Sequence, residues 1–359
     1  MSEINDELVR DIFTFNVPEI SDVQIAERDI LSSSLQKSLR RAHYPCALIA
    51  AKGLVTDPQY FWRRLVTIAF EDFGVSNLAL TAQVVEAARN RAWRMRMGGE
   101  LRVAAYFIRK LTLTPTDRRI DDLYMLAVAT SKSSEVATSF QNASERAKRL
   151  VTHAMTLCRT CERAVPMRSF MAVIPAACDE VIWANTNLAP EIAALCVKGR
   201  KVSQCLLPVL LPAFLLDASS AEQHCVLKTQ TLPDISRAGI LPAAIDGYTA
   251  EGRAILQVTL RDCRRLSSIL ARTKGVSAAK AAAAILFCIE GGLLRNQLSD
   301  QLSAELNKLG HGCWSGLPLR LIPEALSLMR EHLPIIDAHR QEFLTKRANV
   351  INSTKPQEQ

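Results

Sequence analysis

The chain has 359 residues, with 44 Lys and Arg against 36 Asp and Glu for a formal charge of +8, and is 48% hydrophobic but only 6% aromatic. That length can bury a sizeable core and suits two domains, while few Gly and Pro beside long Ala-, Leu- and Arg-rich runs point to helices over sheets. The ten cysteines are scattered through apolar helical patterns (Cys46, Cys196, Cys205 and Cys288 among them), as reduced thiols used as small hydrophobes, which argues against a disulfide scaffold.

In chain order, residues 1–20 read as a loosely held, acidic arm with no apolar leader segment. From Ser33 the apolar spacing settles near 3.6: Leu35, Leu39 and Ala42 make one stripe, with Lys37, Arg40 and Arg41 facing away from it. Pro45 ends that helix. Cys46–Leu54 forms a second, and Asp57-Pro58 caps and opens a third. Its inner face is Phe61, Leu65, Ile68 and Ala69, and Gly74 is expected to stop it.

Further helices are expected over Leu78–Met97, closed by Gly98-Gly99, then Leu101–Lys110, Arg118–Thr130 and Glu135–Leu157. The pattern fails from Cys158 to about Ile174, which marks a boundary. Asp179–Asp217 is helical but punctuated by Pro190, Pro208 and Pro212; its apolar run Leu206–Leu216 is too short to span a bilayer of roughly 30 Å. Ser219–Tyr248 is irregular. Helices return at Glu251–Thr273, Ser277–Arg295, Asp300–Leu309 and Pro323–Val350. The sequence thus divides into an arm (1–20), a helical domain (21–165), a second helical domain (166–350) and a polar tail (351–359) expected to be disordered. An all-α, multi-helix array in the cytoplasm is the expectation.

No Gly-x-x-x-x-Gly-Lys-Ser/Thr loop, dinucleotide glycine motif or Gly-x-Ser-x-Gly elbow is present, and the histidines lack metal-ligand spacing. A binding protein without cofactor or metal is therefore expected before an enzyme. Cys158-x-x-Cys161 has metal-like spacing, but structural zinc needs a second pair and only Cys178 and His153 lie nearby. Glu71-Asp72 could act as a carboxylate pair, but neighbouring helix residues point about 100° apart, so pairing with Arg63, Arg64 or Arg40 is the simpler role.

Two basic stretches stand out. Between Arg89 and Arg119 lie Arg89, Arg91, Arg94, Arg96, Arg102, Arg109, Lys110, Arg118 and Arg119 against Glu100 and Asp117, with Trp93 and Tyr106 interleaved. Guanidinium forks fit phosphate oxygens, and aromatic faces can stack on unpaired bases. Between Arg253 and Lys280 lie Arg253, Arg261, Arg264, Arg265, Arg272, Lys274 and Lys280 against Asp262. The alternative for both is a solvated face, with Trp93 and Tyr106 in the core.

The ordered set Ser34–Arg41, Ala47–Leu54 and Asp57–Gly74, with Arg63-Arg64-Leu65 and Glu71-Asp72-Phe73-Gly74, resembles the C-terminal helical region of the MgsA/RarA replication-associated recombination ATPases, relatives of clamp loaders. The stretch Leu241–Gly252 is fainter, similar to a later Asp-x-x-Thr-x-x-Gly segment. The resemblance implies a clamp-loader-collar-like helical fold, association with replication or repair, and a tendency to oligomerise. It does not bring the ATPase half, since the match begins only at residue 34. In this light Arg63, Arg64, Glu71, Asp72 and Gly74 are structural.

Two functions follow as expectations. One is a non-catalytic accessory protein in DNA replication, recombination, repair or mobile-element processing, holding single- or double-stranded DNA through Arg89, Arg91, Arg94, Arg96, Arg102, Arg109, Lys110, Arg261, Arg264 and Arg265. The other is an adaptor whose basic faces meet an acidic replication or ATPase subunit. A third, less favoured, is an enzyme using His311 and Cys313 in their Gly-rich loop.

Overall fold

The computed structural model describes residues 5–20, 27–162, 189–217, 225–227, 239–291 and 297–354. Among them the protein is all-α. Its helices are α1 (Asp6–Thr14), α2 (Arg28–Arg40), α3 (Tyr44–Leu54), α4 (Pro58–Asp72), α5 (Leu78–Arg89), α6 (Arg91–Arg96), α7 (Glu100–Leu113), α8 (Arg119–Lys132), α9 (Ser134–Phe140), α10 (Glu145–Glu162), α11 (Pro190–Ser203), α12 (Leu207–Asp217), α13 (Ala250–Asp262), α14 (Arg264–Leu270), α15 (Ala278–Gly291), α16 (Gln301–Gly310) and α17 (Ile322–Thr354). The described strands, β1 (Cys225–Leu227) and β2 (Gln297–Ser299), form one antiparallel ladder that pairs Val226 with Leu298. No described helix is long and apolar enough to cross a membrane.

The chain forms two compact units, each assembled from three separated segments. The first takes Met1–Val17, Asp57–Lys228 and Asn296–His311; the second takes Pro18–Thr56, Thr229–Arg295 and Gly312–Gln359. The pattern break expected over 158–174 lies mostly outside the described residues. The block resembling the MgsA/RarA helices divides at residue 56, its first two helices in the second unit and its third in the first.

In the first unit α4 and α8 are the central posts: α4 packs on α5, α11 and α8, and α8 on α10, α12 and α16. Phe61, Trp62, Leu65, Ile68 and Phe70 are fully buried on α4, so the expected inner face is present and wider than a single stripe. Gly74 was expected as a helix stop. The helix does end just before it, at Asp72 with Phe73 as the cap, and the glycine also permits a close approach: a Cβ there would lie 3.1 Å from the Phe70 carbonyl oxygen and 3.2 Å from Ile120.

Three expected long helices are broken, two of them by side chains that serve as caps. Asn90 accepts the Trp93 N–H at 2.9 Å and divides Leu78–Met97 into α5 and α6. Ser133 caps α9, and the turn after Phe140 separates it from α10. Cys263 Sγ accepts the Leu266 N–H at 3.5 Å, separating α13 from α14. The amino-terminal arm is also more ordered than its composition suggests. Asn5 caps α1 at Leu8 N (2.9 Å), and Leu8 and Ile12 are buried.

The second unit is organised around the 33-residue α17, about 50 Å long at the helical rise, against which α13, α14 and α15 pack. Its core joins Leu256, Leu266, Leu270, Ile285, Met329 and Ile336. Lys37, Arg40 and Arg41 were expected on the outer face of α2. All three are buried, and acids from distant segments reach Lys37. Lys37 Nζ lies 2.7 Å from Asp246 Oδ2 and 3.7 Å from Glu290 Oε2, and also donates to the Ala243 carbonyl. Arg340, with no solvent exposure, donates to both Glu290 oxygens, to Asp337 at 2.9 Å and to the Ile245 carbonyl at 2.8 Å. Arg40 sits over the Phe287 ring at 5.6 Å.

The Lys37–Asp246 pair joins, within one unit, the two stretches that carry the sequence resemblance. Asp246 also organises its own turn: its Oδ1 accepts from Tyr248 N, its carbonyl from the Thr249 hydroxyl, and Thr249 in turn caps Gly252 N. Burial pushes the Asp246 carboxyl up, but Lys37, the Ser33 hydroxyl and Tyr248 N–H outweigh it and hold the carboxyl below its ordinary value. A folded pKa below the unfolded one adds stability that is complete above the ordinary carboxylate value of about 3.9 and is lost as pH falls below it. Asp246→Asn is therefore expected to be less stable at neutral pH and to lack this part of the acid limb. Thermal midpoints of both proteins between pH 3 and 7 measure it, and parallel profiles would remove Asp246 from the account.

Candidate nucleic-acid interface

Much of the first basic stretch is internal. Arg94 is 4% exposed. Its Nε lies 2.6 Å and its second terminal nitrogen 3.1 Å from the two Glu100 oxygens, and its remaining nitrogen donates to the carbonyls of Ala87 and Ala88. The same guanidinium lies 4.8 Å over the Trp62 ring, whose Nε1 donates to Glu100 at 2.6 Å. The fork thus closes the carbonyl end of α5, where a cation complements the helix dipole, and pairs with an acid in the first turn of α7. The sequence reading placed Arg94 among phosphate contacts; the fold spends its donors inside.

Arg118 and Arg119 are buried as well. Arg118 lies 3.3 Å from Asp72 Oδ1 and also pairs with Asp121. Arg119 is held by Asp117, with Nε at 3.0 Å from its Oδ1, and reaches Asp300 Oδ2 at 2.6 Å. Asp117 N donates to the Asp72 carbonyl at 2.6 Å. Asp72 thus pairs with Arg118, a partner not among the Arg63, Arg64 and Arg40 considered from the sequence. Arg63 instead lies over the Tyr60 ring and donates weakly to Gln204 at 3.4 Å. Arg64 and Glu71 are half-buried.

Trp93 (4% exposed) and Tyr106 (5%) are core residues, so neither offers a ring face for stacking on a base. The solvent-facing remainder is thinner than its charge count. Arg91 and Arg96 are exposed and hold no ion pair among the described residues. Arg89 is exposed and held 3.0 Å from Glu86, Arg109 is exposed, Lys110 lies 3.4 Å from Asp11, and half-buried Arg102 donates to the Phe13 carbonyl.

The second stretch behaves differently. All seven of its cations are exposed. Arg253 and Arg261 stand on the outer side of α13, eight residues apart with exposed Gln257 between them; Arg264, Ser268 and Arg272 repeat this at intervals of four along α14 and its end. The opposite side of α14 buries Leu266, Ile269 and Leu270, so amphipathicity fixes the cations outward. Arg265 pairs with Glu324 at 2.6 Å, with 71% of its own side chain exposed, which is a weak, screened contact. Arg253 donates to the Tyr248 carbonyl. Arg261, Arg264, Arg272, Lys274 and Lys280 hold no ion pair among the described residues. Lys274 and Gly275 lie in the turn before α15, and a Cβ on Gly275 would meet nothing within 4 Å.

No group of three or more potential metal ligands is gathered among the described residues; Cys158 is buried, and the Cys161 side chain and Cys178 lie outside them. Cys313 is buried within a tight 3-10 turn. The Arg118–Asp72 and Arg119–Asp300 pairings escape a sequence reading because the acids are remote in the chain, and the Arg94–Glu100 pair because it spans the Gly98-Gly99 turn between two helices. The second stretch was legible in principle, since Arg253, Arg261, Arg264 and Arg272 are all out of phase with the apolar positions of their helices. The chain matches no protein-family model, no curated protein and no solved structure.

Proposed function

We propose that this chain is a non-catalytic, DNA-associated accessory protein that holds the phosphate backbone through the outward cations of α13, α14 and the turn into α15. The carrying observation is that Arg261, Arg264, Arg272, Lys274 and Lys280 are exposed without an acid partner among the described residues, where the comparable arginines of the first unit are spent inside it. Arg91, Arg96 and Arg109 form a smaller auxiliary set. Contacts through these cations read backbone charge rather than bases; the exposed Tyr248, whose carbonyl accepts from Arg253, is an aromatic ring beside the α13–α15 set. The resemblance of residues 34–74 to the MgsA/RarA helices suggests replication, recombination or repair as the process, and self-association as its mode.

A salt titration with labelled single- and double-stranded oligonucleotides tests this, with the mass in solution measured alongside. Each neutralised phosphate of a duplex contributes about 0.9 to the slope of log K against log salt, so four or five contacts give a slope of about −4. Reversing Arg261, Arg264 and Arg272 to Glu is expected to weaken binding by ~100-fold and flatten that slope by about three. The Arg91→Glu/Arg96→Glu pair should act several-fold less. Absence of binding at low salt by the parent protein would sink the reading, and stoichiometric co-purification with an acidic protein would then favour the adaptor.

A further inference from the structure

Helix α7 carries Arg102, Tyr106 and Lys110 at intervals of four, so the three side chains form one stripe along it. That stripe is occupied by the amino-terminal segment of the same unit. Asp11 Oδ2 accepts from the Tyr106 hydroxyl at 3.1 Å and lies 3.4 Å from Lys110 Nζ, while the Phe13 carbonyl accepts from Arg102 at 3.1 Å. Phe15 meets the Tyr106 ring edge-on at 5.7 Å. Burial, then the Asp11 hydrogen bond and the charge of Glu7, push the Tyr106 hydroxyl up, so it remains a donor throughout the physiological range.

The occupant is an acidic helix with a small anchor. α1 bears Asp6, Glu7 and Asp11 against Arg10, and only Leu8 and Ile12 on it are buried. It does not seal its seat. A cavity of about 370 Å³ is lined by Glu7, Leu8 and Asp11 of α1, Leu80 and Gln83 of α5, and Tyr106 and Lys110 of α7, among others. Phe13 of α1 is 54% exposed. An oxygen anion held between a phenol hydroxyl and an ammonium, with a guanidinium one further turn along, is also the donor arrangement that takes successive phosphates of a flexible strand.

We propose that the Arg102–Tyr106–Lys110 stripe is a binding surface for single-stranded nucleic acid which α1 occupies in cis as an acidic mimic, so that strand and helix compete for it. This rests on the nucleic-acid reading above but concerns a different surface. Release of α1 places the Asp11 site, vacated, in front of a backbone phosphate and frees Arg102 for a second.

The test uses the full-length protein and a labelled 20-nucleotide oligothymidylate. Leu8→Ser/Ile12→Ser undocks α1 without changing charge. It is expected to bind about tenfold tighter than the parent, with a slope of log K against log salt steeper by about 1.4 for two added phosphate contacts. Adding Arg102→Ala and Lys110→Ala to the undocked variant should cancel both gains. Asp11→Asn, which leaves both apolar anchors in place, should give a two- to threefold gain and covers the case in which the double variant fails to fold. In the parent protein, saturating oligonucleotide should speed hydrogen exchange in residues 6–14. If the parent binds but undocking and Asp11→Asn change nothing, or α1 keeps its protection at saturation, the competition is overturned while the α13–α15 reading stands. A gain that survives Arg102→Ala/Lys110→Ala overturns the assignment of the stripe. If neither parent nor undocked protein binds, both readings fall together.

Discussion

Arg340→Leu is expected to lower the stability of the second unit by about 3–5 kcal/mol, the range for removing one partner of a buried ion pair. Arg340 has no exposure and supplies donors to Glu290, Asp337 and the Ile245 carbonyl. Leucine fills much of its volume but leaves the Glu290 carboxylate, 1% exposed, with Lys37 alone at 3.7 Å, a cation already committed to Asp246. The loss should appear as a thermal midpoint reduced by ~10 °C in a transition assigned to this unit by its near-ultraviolet signal from Trp314. Removing the acid as well restores compatibility, so Arg340→Leu/Glu290→Leu should be more stable than the single variant. A double variant as unstable as the single one would show that packing around Arg340, rather than the stranded charge, sets the cost.

Gly252→Ala should be at least as damaging, although Ala is ordinarily the better helix residue by ~1 kcal/mol. The added Cβ would lie 1.8 Å from the Asp246 carbonyl oxygen and 2.9 Å from the Thr249 hydroxyl. Neither can retreat freely. The Asp246 carbonyl accepts from Thr249, and the Asp246 side chain is fixed by Lys37 and Ser33. Either α13 shifts outward or the Asp246 turn opens and the buried pair with it, so a cost of ~3 kcal/mol or more is expected from overpacking and lost pairing together. Chemical denaturation of Gly252→Ala beside Gly275→Ala separates the causes. Gly275 has space for a Cβ but a positive φ of 75°, so its cost reflects backbone strain alone and should be about 1 kcal/mol. Equal costs at the two positions would refute the steric account of Gly252.

The contrast between these glycines shows where sequence reading succeeds and where it stops. Periodicity near 3.6 correctly gave an all-α chain, because a helix's apolar stripe is a local property: Phe61, Leu65 and Ile68 recur with it and are all buried. Local chemistry also placed the Asp57-Pro58 start, where Asp57 accepts the Tyr60 N–H. The breaks at Asn90 and Cys263 were missed because one side chain ending one helix and capping the next leaves the apolar period nearly undisturbed. Charge was hardest. Lys37, Arg94 and Arg118 look like solvated cations when counted along the chain, and only the fold brings Asp246, Glu100 and Asp72 onto them. Arg261, Arg264 and Arg272 looked the same by count and stayed outside, with no such acid reaching them among the described residues. The candidate interface was thus half legible: the residue types were visible, but not which of them the core would claim.

The three-segment construction of the second unit has a consequence for its birth on the ribosome. Lys37 emerges roughly two hundred residues before Asp246 and three hundred before Arg340. At translation rates of about 5–20 residues per second, α2 and α3 wait about 10–60 s with their polar face uncovered. The sequence manages that delay with its own composition. A face bearing Lys37, Arg40 and Arg41 stays hydrated and repels copies of itself on neighbouring nascent chains, where an apolar face would invite aggregation. The buried charges that look extravagant in the finished molecule therefore suit a unit whose post, α17, is made after the helices that pack on it.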